Sequence, residues 1–389
     1  MGASDKVHPG ITVFLETEHR RWQGKRLGLF TNQTGVTEDL EPNVSALLSC
    51  PGLRLAALYG GEHGVRGDQQ AGIAVTSYTD PETGLPVYSL YAGSKGFPPD
   101  NLEILDAIII DIQDGGVRFY TYISAMWYIL MAAGKSHTPV IVLDRPNPVN
   151  GITIEGNVAR PEFQSYVAIH PIALRHGMTI GELALLFNEE SKFGTDISVV
   201  QMRNWTRTMW YDETGLDWVL PSPNLPAVES MVVYPGMCLF EGTNLSEGRG
   251  TTRPFEIFGA PWLNAGELRR RLAKEDLPGV GFSEIHFAPT FSKYAGEVCN
   301  GLQIHVRDRS RFIPTLTFLR IIETVKRLHP AELNWRIRQD GSKAMDRLMG
   351  TDEFRLAIDG GKSIDEIVWS WESEALRFKQ AREKFLLYD

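Results

Sequence analysis

The chain has 389 residues, of which 43% are hydrophobic, enough to bury a large core and to divide into two domains. A formal net charge of -9 and the lack of any long Lys/Arg run exclude the basic face that a nucleic-acid binder carries. No apolar stretch approaches the roughly 20 residues needed to span a bilayer, and the three cysteines, Cys50, Cys238 and Cys299, are too scattered for a disulfide framework or a zinc site, so they read as buried thiols.

The opening MGASDKVHPG lacks the apolar core of a signal peptide. The expected location is therefore extracytoplasmic, periplasmic or secreted, if this start stands in place of a removed export signal, and cytoplasmic otherwise. From there the first half alternates β-branched runs with amphipathic stretches. KRLGLFTN, LRLAALYG, DAIIIDIQ, PVIVLDRP and DISVVQMRNW are predicted strands, and NVSALLSC, YISAMWYILMAAG and TIGELALLFNEE are predicted helices. Runs such as AIIID and VIVLD are apolar without alternation, as in strands covered on both faces, so the sheet should be mainly parallel. Thr179 and Glu182 have capping-box spacing, which makes Glu182 a helix cap rather than a catalyst.

SPNLP, ending at Pro226, breaks the periodicity, and VVYPGMCLFEGTNLSEGRGTT reads as loop. The expected division is a Rossmann-like α/β domain over residues 1–227 and a smaller α+β domain over residues 228–389, with the active-site cleft at the junction. The second part offers a helix capped by Asn264 and Glu267, strands near FSEIHFAP and LQIHVRD, and a helix across LTFLRIIETVKRL. A long helix introduced by Ser363 and Glu366 follows, its tryptophans read as core.

In an open parallel sheet the loops at the carboxyl ends of the strands form the ligand crevice. Here those loops are GEHG, DGGVRFYTY and DRPNPVNG, so Glu62, His63, Asp111, Asp114, Arg118, Tyr120, Tyr122, Asp144, Arg145 and Asn147 should converge. Familiar phosphate and nucleophile motifs are missing. The GKS at Gly134 and Gly361 lack the upstream glycine of a P-loop, YAGSKG is not a nucleophile elbow, and the glycines around Glu62 do not follow the dinucleotide pattern. Neither a cofactor nor a metal is expected, although Asp111, Asp114 and His176 would be the ligands in a metal-dependent alternative. What remains is carboxylate chemistry. Glu62, in a glycine-lined loop that substrate can approach, is the candidate general acid. The aromatic run Phe119, Tyr120 and Tyr122 beside Arg118 would suit a sugar ring. A second polar cluster holds Glu241, Asn244, Glu247 and Arg249.

Taken together, GGEHGVRGDQQAG, DIQDGGVRFYTY, DRPNPVNG, RHGMTIGELA, SPNLP and YPGMCLFEGTNLSEGRGTT resemble the NamZ family of exo-acting peptidoglycan β-N-acetylmuramidases over nearly the whole chain. The resemblance implies a Rossmann-like first domain, a smaller second one, and release of N-acetylmuramic acid from non-reducing ends of peptidoglycan fragments. It also implies that the glutamate of GEHG, Glu62, is catalytic, in agreement with the reading from the residues. Asp114 is ranked first as its partner carboxylate, ahead of Glu155, Glu241 and Glu247. Retaining, inverting and substrate-assisted routes all stay open. His63, Arg118, Tyr120, Tyr122, Asp144, Asn147, His176, Glu241, Asn244, Glu247 and Arg249 are the expected substrate contacts. Arg118 and Arg249 stand before Arg145 as readers of the lactyl carboxylate, since Arg145 suits an internal ion pair. The competing expectation is a saccharide-binding protein without turnover.

Overall fold

The computed structural model describes residues 6–68, 77–90 and 102–389. The end of the GGEHGVRGDQQAG stretch and the whole of YAGSKG lie outside the described residues. The chain forms two compact units. Unit 1 comprises Met1–Thr153, Gly177–Pro226 and Ala381–Asp389, and unit 2 comprises Ile154–His176 and Ala227–Gln380.

In chain order the strands are β1 (Arg26–Thr31), β2 (Arg54–Gly60), β3 (Tyr78–Thr79), β4 (Pro86–Ser89), β5 (Ala107–Asp111), β6 (Val140–Leu143), β7 (Glu155–Val158), β8 (Ala173–Arg175), β9 (Ile197–Val200), β10 (Ile257–Ala260), β11 (Val280–Phe287) and β12 (Cys299–Val306). Unit 1 is built on one sheet in the order β3-β4-β2-β1-β5-β6-β9, parallel throughout except for the β3–β4 edge pair. Without β3 this is the doubly wound dinucleotide-fold order, whose direction reverses between β1 and β5, and ligands in such sheets bind outside the carboxyl ends near that reversal.

The reason for a parallel sheet is visible in β5. All five of its residues are buried, so Ile108, Ile109 and Ile110 each face a covering layer, and each stabilises by roughly 1.5–3 kcal/mol relative to exposure. Leu27, Leu29, Leu55, Leu58 and Leu143 join Ile11, Phe14 and Leu47 in one core cluster on the sheet. The helix Tyr122–Ser136 follows β5, and the helix Ile180–Glu190 begins at a complete Thr179/Glu182 capping box. Glu182 is a structural residue, as expected. It also pairs with Arg207 at 2.5 Å and accepts from Leu387 N at 2.9 Å.

Residues 381–389 complete unit 1. Tyr388 donates to Asp144 Oδ2 at 2.6 Å, Arg207 N donates to Asp389 O at 3.0 Å, and Arg382 donates to the carbonyls of Gly151 and Gly177.

Unit 2 has a three-stranded antiparallel sheet, β10-β12-β11, and the small pair β7–β8. The stretch read as loop after Pro226 is instead a helix, Val228–Met237, with Pro235 inside it. Gly236 explains why a Pro-Gly pair is tolerated there. A Cβ at that position would lie 1.9 Å from Pro314 O, so only glycine lets the helix Pro314–Leu328 pack so closely. In the helix Ile364–Arg382, Trp371 is core as expected, whereas Trp369 is 76% exposed. Cys238 and Cys299 are buried free thiols, and Cys50 is partly exposed.

Candidate active site

β2 ends at Gly60, and the chain turns through Gly61, Glu62, His63 and Gly64. Gly64 and Gly67 have φ of +73° and +72°, conformations that side chains disfavour, and a Cβ at Gly61 would meet the Tyr122 ring at 3.3 Å. The glycines thus let this loop turn tightly and lie flat on Tyr122. Glu62 is half-buried, and its Oε2 accepts a hydrogen bond from Thr121 Oγ1 at 2.7 Å. His63 is buried edge-on to Tyr122, with ring centres 6.4 Å apart. Arg66 ties the same loop to the turn between β3 and β4 through Asp80 and Glu82, each at 2.8 Å.

Across the reversal point, the loops after β1 and β5 are joined by Gln113 N donating to Thr34 Oγ1 at 2.9 Å. Asp114 folds back to accept from Gly116 N at 2.7 Å and is 4% exposed. Tyr120 and Tyr122 pack edge to face at 4.9 Å, and the Tyr122 hydroxyl donates to Pro221 O at 2.7 Å. Burial pushes the Tyr122 phenol far above its usual range. The charge of Glu62 adds to this, the neighbouring Tyr120 and Asn32 side chains work the other way, and the charge of Asp114 adds again. Both expected catalytic carboxylates therefore bear on one phenol.

Several expected ligands turn out to be framework. Asp111 is fully buried and bound by Arg145, Nε to Oδ1 at 2.6 Å and Nη2 to Oδ2 at 3.0 Å, with Asn43 Nδ2 at 2.7 Å. Arg145 is thus the internal ion pair its sequence context suggests, with Asp111 as partner. Asp144, expected to touch substrate, has no exposure, and its carboxylate takes hydrogen bonds from Arg145 N, Gly181 N, Thr179 Oγ1 and Tyr388. Asn147 spends its amide on Met178 O and Val149 N. Arg118 is fully buried, and Tyr120 and Tyr122 are 5% and 1% exposed, so this run packs inward instead of offering a sugar an open aromatic face.

In unit 2, Arg249 is held between Glu241 at 2.7 Å and Glu247 at 3.4 Å and lies 5.0 Å from the Phe255 ring centre. Lys293 meets Glu247 at 2.9 Å and also donates to two backbone carbonyls. Although burial works against its charge, the two carboxylates hold the Arg249 guanidinium above its usual range. Asn244 braces the backbone of Glu332 and Asn334. Glu155 pairs with Arg175 at 2.5 Å and accepts from Thr315 Oγ1 at 3.0 Å. His176 is fully buried. Among the described residues no group of three His, Cys, Asp or Glu side chains is placed to hold a metal ion.

Sequence reasoning passed over Asn32, Thr34, Thr121 and the Pro221 carbonyl. Asn32 is the last residue of the predicted strand KRLGLFTN, and SPNLP reads only as a break in the periodicity. Only the sheet order, which sets β1 at the reversal point, raises the first of these above an ordinary turn.

Models of the NamZ exo-β-N-acetylmuramidase family match the chain in two parts, the N-terminal over residues 27–229 and the C-terminal over residues 232–388. A peptidoglycan β-N-acetylmuramidase NamZ of Bacillus subtilis (strain 168) is 47% identical over 98% of this chain and 92% of its own length. Two crystal structures of DUF1343-family proteins from Bacteroides fragilis NCTC 9343 are also similar. One has a TM-score of 0.91 at 35% identity over 99% of this chain and all of its own, and the other 0.77 at 29% over 99% of both.

Proposed function

The chain belongs to the NamZ family, and we propose from that premise that it is an exo-acting glycosidase releasing N-acetylmuramic acid from the non-reducing ends of peptidoglycan fragments. The observation that carries a mechanism is the position of Glu62. It sits in the glycine-rich turn at the carboxyl end of β2, half-buried, beside the phenol that Asp114 also influences. Asp111 and Asp144, the neighbouring carboxylates of this sheet edge, are fully buried in structural bonds.

In this reading Glu62 enters the cycle protonated and gives its proton to the glycosidic oxygen as the bond to the anomeric carbon breaks. Positive charge develops on the sugar ring in an oxocarbenium-like state. Water then attacks the anomeric carbon, either directly, with Asp114 taking its proton, or after the sugar's own acetamido oxygen, oriented by Asp114, has closed on that carbon, in which case the water breaks the bond to the acetamido oxygen and gives its proton to the Glu62 carboxylate. Glu62, now a carboxylate, is stabilised by the Thr121 hydroxyl. The products are N-acetylmuramic acid and a fragment one sugar shorter.

The test is incubation with the disaccharide of N-acetylmuramic acid β-linked to N-acetylglucosamine, read by mass spectrometry. Release of both monosaccharides is expected. An intact disaccharide at high enzyme concentration would leave only a binding protein.

A further inference from the structure

The turn that carries Glu62 is held at both ends. At its start the chain leaves the sheet at Gly60, which pairs with Ser89 of β4 and whose carbonyl accepts from Leu90 N at 2.9 Å. At its far end Val65 is buried in the core cluster on the sheet, and Arg66 beside it closes on the turn between β3 and β4. Arg66 Nη2 donates to Asp80 Oδ1 at 2.8 Å and to Oδ2 at 3.0 Å, and Nη1 meets Glu82 Oε2 at 2.8 Å.

Asp80 is 1% exposed, and the turn around it is closed on itself. Thr83 N and Thr83 Oγ1 donate to Asp80 Oδ2 at 3.1 Å and 2.7 Å, while Asp80 N donates to Leu85 O and Gly84 N to Asp80 O, both at 2.8 Å. Although burial works against its charge, Thr83 and Arg66 hold the Asp80 carboxyl below its ordinary range. Arg66 therefore grips a fixed point.

The two anchors at the far end act differently. Burial of Val65 has no preferred direction, so it sets how deep the chain returns but not how the turn is rotated. An arginine fork on a carboxylate fixes both distance and orientation. Glu62 lies four residues before Arg66, in a stretch with glycines at positions 60, 61 and 64, whose backbone is the least restricted by side chains. We propose that Arg66 is a positioning residue for the proton transfer, its ion pair with Asp80 holding the Glu62 turn in the arrangement that aims the carboxyl at the glycosidic oxygen. The inference rests on the glycosidase reading above and adds to it a residue that touches no reacting atom. Recognition of the lactyl carboxylate is the weaker role for Arg66, because Nη1 and Nη2 are already engaged by two carboxylates and a third would meet a neutralised fork.

Two substrates that differ in their need for a proton test the assignment. The disaccharide of N-acetylmuramic acid and N-acetylglucosamine must have its leaving oxygen protonated, whereas 4-nitrophenyl β-N-acetylmuramide releases a nitrophenolate that leaves without one. Arg66→Ala should lower kcat on the disaccharide by about 10- to 100-fold, the cost of misplacing a catalytic group, with KM changed by less than about 2-fold and kcat on the nitrophenyl glycoside lowered by less than about 3-fold. That variant leaves Asp80 buried without its cation, so Arg66→Ala combined with Asp80→Asn, which removes both charges, should show the same split where the single variant does not fold. In a Glu62→Gln background, with no acid left to aim, Arg66→Ala should lower neither rate further. Equal losses on the two substrates, or a further loss in that background, would make Arg66 an ordinary support of the fold. A raised KM with kcat kept would make it a substrate contact, and each of these outcomes overturns the proposal. Wild-type turnover of the two substrates is the separate readout of the glycosidase reading, so the two failures are told apart.

Discussion

Thr121 Oγ1 donates to Glu62 Oε2 at 2.7 Å, joining the residue before the helix Tyr122–Ser136 to the carboxylate that ends the β2 turn. One element thus fixes the orientation of a group that another element supplies. Glu62→Gln keeps the shape and the acceptor atom but has no acidic proton, so kcat on an unactivated disaccharide should fall by roughly 10² to 10⁴ with the fold unchanged by circular dichroism. A variant that keeps more than about a tenth of the wild-type rate would remove Glu62 from the acid role.

Thr121→Val takes away only the hydroxyl. It leaves the carboxylate without the bond that fixes Oε2, so kcat should fall by about tenfold, within the range for losing one hydrogen bond to a charged group, while KM changes little. An unchanged kcat would mean that the Thr121 hydroxyl does not position the reacting group.

Asp144 gives a test of stability instead of rate. Burial pushes its carboxyl up to about 6, the Tyr388 hydrogen bond pulls down, the Glu182 charge pushes up, and Gly181 and Thr179 pull down. A carboxyl held above the unfolded value of about 3.9 favours folding while protonated, and that contribution is full below about pH 4 and lost as pH rises through about 6. Relative to Asp144→Asn, the wild type should therefore lose roughly 3 kcal/mol between those limits, measured by urea unfolding. A constant difference from pH 4 to pH 7 would show that Asp144 does not titrate there.

Arg145 separates framework from recognition. Its removal leaves Asp111 charged and buried beside the Asn43 amide, without its cation, which costs about 3–5 kcal/mol. Arg145→Ala should unfold at markedly lower denaturant, and its preference between chromogenic N-acetylmuramic acid and N-acetylglucosamine substrates should match the wild type. A stable variant with altered sugar preference would instead make Arg145 a substrate contact.

Much of unit 1 was legible because its signals are local. Unalternating runs such as AIIID become strands buried on both faces, and Thr179 with Glu182 makes the cap its spacing implies. The polar strand-end loops were found for the same reason. Their division of labour was not, because it depends on which groups meet across the sheet edge. Asp111 and Asp114 are three positions apart, yet one is closed by Arg145 and the other lies beside the phenol that Glu62 also affects. Nothing in DIQDGG states that difference. The helix Val228–Met237 escaped notice through Pro235 and Gly236, since the Pro314 carbonyl that makes glycine necessary there is far away in sequence.

The return of residues 381–389 to unit 1 bears on how the protein is made. A chain leaving the ribosome from its amino end would present the sheet of unit 1 first, with Asp144 buried and the Tyr388 hydroxyl not yet synthesised. Glu182 would likewise wait for Leu387 N, and the carbonyls of Gly151 and Gly177 for Arg382. Unit 1 can begin to collapse early but reaches its final hydrogen-bonded state only after all of unit 2 has been translated. Such long-separation closure slows folding and extends the life of a partly open intermediate. The order of translation and the order of completion therefore run in opposite directions in this molecule.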